Sequence, residues 1–165
     1  ITYLDAEGNP VKCSAGYSTI VRTQVGGRAS DDFYYDLNGQ QVQCSGGYYG
    51  LHREFNTEGQ NTSLTFLDKD GHAVCTSFGY ASKTSQRAGN GTVVGEQYFD
   101  TEGNPVRSLL GQYGELYQRN EQGYISQITY LGADGNPAPT NAGYTILKRT
   151  YHRDGTADTD MYSNH

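Results

Sequence analysis

The sequence predicts an all-β fold, an elongated, solenoid-like array of β-hairpins made of five units of about 32 residues. Three observations predict it. An Asp-x-x-Gly turn recurs with its glycine at Gly8, Gly39, Gly71, Gly103 and Gly135, at intervals of 31, 32, 32 and 32 residues. A second glycine (Gly16, Gly47, Gly79, Gly111, Gly143) keeps the same intervals and is followed by tyrosine in four of the five copies. A column of aromatics, Tyr3, Tyr34, Phe66, Tyr98, Tyr130 and Tyr162, runs through all copies. A unit this short cannot bury its own apolar face, so copies must stack on one another. The chain therefore reads as a single array over residues 1–165, with units at approximately 1–31, 32–63, 64–95, 96–127 and 128–159 and a truncated sixth copy.

Each unit opens on the aromatic column, followed by Leu4, Tyr35, Leu67, Phe99 or Leu131. Asp5, Asp36, Asp68 and Asp100 come next, with Gly132 as the exception. An Asp at the start of a turn accepts backbone N–H bonds from residues further round, and the glycine supplies φ > 0 at its end. A column of Val11, Val42, Val74, Val106 and Ala138 follows. Aromatic strand, turn and valine strand form a hairpin pattern. Pro10, Pro105 and Pro137, which lack a ladder donor, belong at a strand start or on an edge.

A second turn closes each copy at Gly59, Gly91, Gly123 and Gly155, with Gly26-Gly27 in the first. The strands between are uneven. Tyr17, Ile20 and Arg22 match Tyr48, Leu51 and Arg53, and Tyr144, Leu147 and Arg149 repeat them. Residues Ala81 to Gly91 offer almost nothing to bury, so the third copy is expected to loop out there. Gln112 separates Gly111 from Tyr113, which turns that tyrosine to the other strand face unless a bulge absorbs the extra residue.

Composition bounds the function. With 22 glycines, 15 tyrosines, no tryptophan and 35% hydrophobic residues, the chain is undersupplied for a conventional globular core. Tyrosine suits a stack, since the ring supplies area and the hydroxyl reaches the rim. A net charge of −6 argues against nucleic acid and anionic membrane surfaces as ligands. No apolar run is long enough to insert in a membrane. Opening at Ile1-Thr2-Tyr3 inside a repeat and stopping just after a sixth aromatic, the chain is expected to be a piece of a longer array or protein.

Cys13 and Cys44 are repeat-equivalent and Cys75 lies one position off, a pattern of small buried residues rather than of a disulfide framework. Without Cys-x-x-Cys spacing no zinc site is expected. The acidic turns Asp5 to Gly8 and Asp68 to Gly71 read as capped turns that lack the further oxygen ligands of a calcium loop. His52, His72, His152 and His165 occupy non-equivalent positions, so no catalytic residue, metal or cofactor is assigned.

The tyrosines carry the functional reading. Those of the Gly-Tyr column, Tyr17, Tyr48, Tyr80, Tyr113 and Tyr144, with Tyr49, are the candidate ligand-binding residues, read as surface platforms at junctions between hairpins. Aromatic faces beside polar groups suit sugar rings or cationic head groups. The competing reading makes the same rings the core of the stack. The opening aromatic column is assigned to the core. Arg22, Arg53 and Arg149 are expected to lay their stems across tyrosines and keep their guanidinium groups in water.

Tyr34-Tyr35-Asp36-Leu37-Asn38-Gly39 and Tyr98-Phe99-Asp100-Thr101-Glu102-Gly103 resemble the end of the cell-wall-binding repeats of choline-binding proteins, glucan-binding domains and clostridial toxins. That resemblance implies stacked hairpins with ligands between neighbours, although the absent tryptophan removes the usual choline cage. Tyr3 to Val11, Tyr98 to Val106 and Tyr130 to Pro137 resemble more closely the tyrosine-rich YxDxxGNPV/GY repeat of surface and membrane-associated proteins of gut Firmicutes. Asp-x-x-Gly alone is similar to the repeats of Rhs-type proteins. The resulting expectation is a non-catalytic module of the bacterial cell surface or exterior that binds cell-wall polymer or other carbohydrate. The alternatives are a structural spacer and a protein-interaction or self-association repeat.

Overall fold

In the computed structural model, which describes residues 1–164, ten antiparallel strands form one sheet whose spatial order is the order of the chain. The hairpins are β1 (Thr19–Val25) with β2 (Arg28–Tyr35), β3 (Gly50–Phe55) with β4 (Asn61–Leu67), β5 (Ser82–Arg87) with β6 (Val93–Phe99), β7 (Gly114–Arg119) with β8 (Ile125–Leu131), and β9 (Ile146–Tyr151) with β10 (Ala157–Ser163). His165, the last of the four histidines, lies outside the described residues. The sheet exposes 9591 Å², against roughly 8,100 Å² for a compact chain of the same mass. The array is elongated as its composition requires.

The second glycine turn of each unit closes the long hairpin. In the first copy Gly26 and Gly27 have φ of 58° and 77°, the two positive values that a two-residue turn needs to match the strand twist. The later turns are longer, and all five hairpins carry a one-residue register shift near the turn, as between Thr23 and Gln24 and between Glu54 and Phe55.

The first turn, read from sequence as closing an aromatic-to-valine hairpin, closes only a single bridge, such as Tyr35 with Gln41 or Leu131 with Pro137. Another turn begins at Cys44 almost at once, with Gly47 N–H on Cys44 C=O at 2.9 Å, so no ladder has room to grow. The valine column thus lies in a double-turn connector outside the named strands, where Val42 N–H still bonds Tyr34 C=O at 3.0 Å. The predicted capping is present. Asp36 Oδ1 accepts N–H from Asn38 and Gln40 at 2.8 and 2.9 Å, and Asp5, Asp68 and Asp100 do the same. In the fifth copy, where Gly132 stands in that column, Asp134 takes over by accepting from Asn136 at 3.0 Å.

Consecutive hairpins pair over short stretches, Asp31–Phe33 with Gly50–His52 for example. Their connectors also bond along the array, Ser77 N–H to Gly46 C=O at 2.9 Å, Leu109 to Phe78 and Asn141 to Leu110 at 3.1 Å. Both layers of contact run in one direction, so each copy is held by its neighbours.

The third copy does not loop out: Ser82–Arg87 is β5, paired with β4 and β6. Ladder bonds on both edges replace the missing apolar contacts. Lys83 lays its stem on the sheet to reach Glu96 at 2.7 Å, and Arg87 bonds the carbonyls of Asn61 and Gly91 at 2.8 Å. Gln112 introduces no bulge either. Tyr113 N–H bonds Leu131 C=O at 2.8 Å and Tyr113 C=O accepts from Tyr98 at 2.9 Å, the bonds that Tyr49 makes in the second copy. Gln112 therefore stands in the tyrosine column, and Tyr113 stands in the column of Tyr49, Ala81 and Thr145.

Candidate functional site

The two aromatic columns interleave into one stack. Successive ring centroids from Tyr3 through Tyr17, Tyr34, Tyr48, Phe66, Tyr80 to Tyr98 lie 5.7, 4.5, 6.0, 4.8, 6.0 and 4.5 Å apart. After a break at Gln112 it resumes as Tyr130, Tyr144 and Tyr162, at 5.5 and 4.6 Å. The opening column is core in the interior copies, with Tyr34, Phe66, Tyr98 and Tyr130 buried, while Tyr3 and Tyr162 are exposed at the ends. Tyr17, Tyr48, Tyr80 and Tyr144 are half-buried between these rings rather than set apart as platforms. Tyr49 and Tyr113 are half-buried in the neighbouring column, and Arg107 places its guanidinium carbon 5.5 Å from the centre of the Tyr113 ring. The six residues, predicted as repeated platforms at the junctions between hairpins, are spread along the array, one or two to a copy. Burial pushes the Tyr34 and Tyr98 hydroxyls well above their ordinary range, and burial with the Glu115 charge raises Tyr130 to about 12.

Gln112 marks the one polar interruption of this stack among the described residues. Its Nε2 donates to Glu115 at 2.7 Å, and its Oε1 is buried with no hydrogen-bond partner among the described residues. Tyr117 donates to Glu115 at 2.8 Å and approaches Glu96 at 3.4 Å, and Lys83 closes the group on Glu96. The signal was present in the sequence as broken columns, since Glu115 stands where Leu51 and Leu147 stand, and Tyr117 where Arg53 and Arg149 stand.

The arginines differ from expectation. Arg22 grips Asp32 through Nε and Nη2 at 2.6 and 2.8 Å, Arg53 adds Nη2 at 2.9 Å from the next hairpin, and Arg149 grips Asp160 at 2.6 and 2.7 Å. Asp32 is 1% exposed, and a buried carboxylate requires such partners. Neighbouring His52 holds Asp31 at 2.8 Å. The three cysteines are free thiols; Cys44 is buried and raised by that burial to about 11, Cys13 is half-buried, and Cys75, one position out of phase, is exposed rather than buried. No three His, Cys, Asp or Glu side chains converge as metal ligands among the described residues.

A better-formed surface lies on the last two hairpins. Tyr124 and Tyr151 pack with centroids 4.9 Å apart and planes 30° from parallel, and Tyr124 is 41% exposed. The Tyr124 hydroxyl rests against Gly155, whose φ of 84° and lack of Cβ permit that approach. Tyr151 is anchored by its hydroxyl on Ile125 C=O at 2.7 Å. Recesses of about 240 Å³ each flank the pair. One presents Arg119, Gln127 and Arg149 beside Ile128 and Leu147, and the other presents Asn120, Gln122, His152 and Arg153. Sequence reasoning missed this pair because it followed recurring columns. Tyr124 stands where other copies have Gln60 and Thr92, and Tyr151 where they have Arg87 and Arg119. Arg87 and Arg119 use their guanidinium groups for the same clasp onto the preceding hairpin, on Asn61 and Val93 carbonyls at 2.8 and 3.4 Å.

No protein-family model matches the chain, and a search of curated proteins finds no match.

Proposed function

We propose that this array is a non-catalytic module that binds cell-wall polymer or another carbohydrate at the bacterial surface, with the Tyr124–Tyr151 pair as its principal contact. The observation that carries the reading is a packed pair of tyrosines, Tyr124 exposed and Tyr151 half-buried, standing between two recesses rich in hydrogen-bonding side chains. An aromatic face accepts the C–H face of a sugar ring, while the surrounding Asn, Gln, His and Arg side chains meet its hydroxyls. The half-buried edges of Tyr17, Tyr48, Tyr80 and Tyr144 line the rest of the array and offer weaker contacts. Repetition along one polymer strengthens such contacts by high effective concentration.

The test is retention on insoluble Gram-positive cell walls and on α- and β-glucans with soluble sugars as competitors. Tyr124→Ala is expected to weaken retention about tenfold, equivalent to about 1.4 kcal/mol, without changing the melting temperature by more than a few degrees. Equal retention by Tyr124→Ala would remove this pair from the reading. A second reading, a spacer that holds another domain at a distance, is favoured by the use of the repeated tyrosines in packing. Failure of the unmodified chain to bind any of these polymers would select it.

A further inference from the structure

The column that holds Tyr151 decides how the groove between two neighbouring hairpins is filled. Between the second and third hairpins and between the third and fourth it holds Arg87 and Arg119, whose guanidinium groups reach back to the carbonyls of Asn61 and Val93 at 2.8 and 3.4 Å. Between the fourth and fifth it holds Tyr151, whose hydroxyl makes the same reach to Ile125 C=O at 2.7 Å. Between the first and second it holds Phe55, whose side chain has no donor to send to the carbonyl of Ala29 in that place. The groove there is left open as a recess of about 360 Å³.

This recess repeats the Tyr124–Tyr151 site column by column. Arg28, Arg53, Phe55 and Asn56 line it, and their counterparts three units on, Tyr124, Arg149, Tyr151 and His152, line the two recesses of the last junction. The support beneath is shared as well. The Arg28 guanidinium rests on Gly59 as the Tyr124 hydroxyl rests on Gly155, and those glycines have φ of 80° and 84° and no Cβ to obstruct the approach. Within the recess Arg53 is held by Asp32 at 2.9 Å and His52 by Asp31 at 2.8 Å. Arg28 is exposed, and among the described residues no carboxylate pairs with it. The first junction therefore offers a half-buried aromatic ring beside an uncommitted guanidinium.

We propose that the junction between the first and second hairpins is a second saccharide subsite, in which a sugar ring lies against Phe55 and its hydroxyl oxygens accept hydrogen bonds from Arg28. This inference rests on the carbohydrate reading of the Tyr124–Tyr151 pair. The ring of Phe55 supplies the apolar area and Arg28 the directional contact, the combination that orients a small ligand in a recess. One ring here takes the place of two, so this subsite binds more weakly than the last junction. Two subsites on one chain also retain a long polymer better than a short oligosaccharide, because the second contact is made at high effective concentration. The two junctions between them lack the open groove, since Arg87 and Arg119 span it.

Calorimetric titration of the full chain with maltohexaose, cellohexaose and muramidase-released cell-wall fragments tests it. The expected result is two sites per chain for a saccharide that binds. Phe55→Arg should remove the weaker one, because arginine in that column restores the clasp of Arg87 and Arg119 and closes the recess while the hairpins stay paired. Arg28→Ala should weaken the same site about tenfold through loss of a charged hydrogen bond and leave the stronger site unchanged. Circular dichroism establishes that each variant is folded; if Phe55→Arg is not, the exposed Arg28→Ala decides. A single site that Tyr124→Ala removes and Phe55→Arg leaves intact would overturn this inference while the carbohydrate reading stands. Two sites that respond to neither Phe55→Arg nor Arg28→Ala would also overturn it. No binding of any of the three probes by the unmodified chain would overturn both.

Discussion

Tyr80 and Tyr98 lie nearly face to face, with centroids 4.5 Å apart and planes 14° from parallel. One belongs to the Gly-Tyr column and the other to the column that opens the repeat, so the two columns share a single stack. A half-buried ring so engaged is part of the folding energy. Tyr80→Ala is expected to destabilise the array by about 3 kcal/mol, a value at the low end for loss of a packed aromatic side chain. Tyr80→Phe, which keeps the ring, should cost less than about 1 kcal/mol. Urea unfolding followed by tyrosine fluorescence separates these outcomes, and equal midpoints for the alanine variant and the unmodified chain would contradict the packing role.

Gln112→Tyr should stabilise the array. The substitution places a ring between Tyr98 and Tyr130, where the column is interrupted, and removes a buried Oε1 that lacks a partner. Aromatic pairs contribute about 0.5–1.5 kcal/mol beyond the area they bury, and an orphaned buried acceptor costs about 1–3 kcal/mol. The opposing loss is the Gln112 bond to Glu115, a residue that keeps Tyr117 as a donor. A net gain of about 1 kcal/mol follows, read as a higher urea midpoint with an unchanged slope. A lower midpoint would show that Glu115 depends on the glutamine.

Much of this fold was legible because glycine positions are absolute. The turn glycines at Gly8 through Gly155 sit at positive φ in every copy, and their spacing alone located the turns. Which turn closed the long hairpin was not legible, because Asp-x-x-Gly followed by a short run of residues is compatible with both a ladder and a connector. The strand character of Ser82–Arg87 was hidden for a related reason. Its stability comes from ladder bonds and the clasps of Lys83 and Arg87, which leave no periodic apolar signature. At the level of sites, the recurring tyrosines pack in the stack, and the Tyr124–Tyr151 pair sits in columns occupied by other residue types elsewhere. Repetition identified what the stack needs for itself, and the departures from repetition mark what the stack does not need.

Acid should unfold the first two hairpins early, with Asp32 as the main cause. Burial alone would raise its pKa, but the donors from Arg22 and Arg53 outweigh that and hold it below its ordinary 3.8. A folded-state value below the unfolded one means that the carboxylate stabilises the fold above about pH 4 and that this contribution is lost as pH falls through the lowered value. Asp31, depressed by His52 and Ser30 against the opposing effect of burial, adds to the same window. Asp32→Asn leaves two guanidinium groups facing an amide and should cost about 3 kcal/mol near neutral pH. Its melting temperature should then fall less steeply than that of the unmodified chain between about pH 4 and about pH 2. Parallel melting curves for the two proteins over that range would show that other carboxylates govern the acid limb.

Base should unfold the array cooperatively, because the stacked hydroxyls resist ionisation together. Burial raises Tyr34, and burial with the charges of Glu115 and Glu96 raises Tyr98 and Tyr117, all far above the ordinary 10.0. Burial with Glu115 holds Tyr130 at about 12. A raised folded-state value means that the neutral rings contribute stability fully below about pH 10 and lose it as pH rises toward the folded values, at about 1.4 kcal/mol per unit for each tyrosine involved. Several such residues titrating in one stack make the loss steep. The far-ultraviolet circular dichroism is therefore expected to be lost together with the appearance of tyrosinate absorbance from Tyr34, Tyr98, Tyr117 and Tyr130, in one transition between about pH 10 and about pH 12. If all the tyrosines ionised near pH 10 while the strand signal persisted, the rings would have to be accessible in the folded state, and the interleaved stack would lose its place as the core.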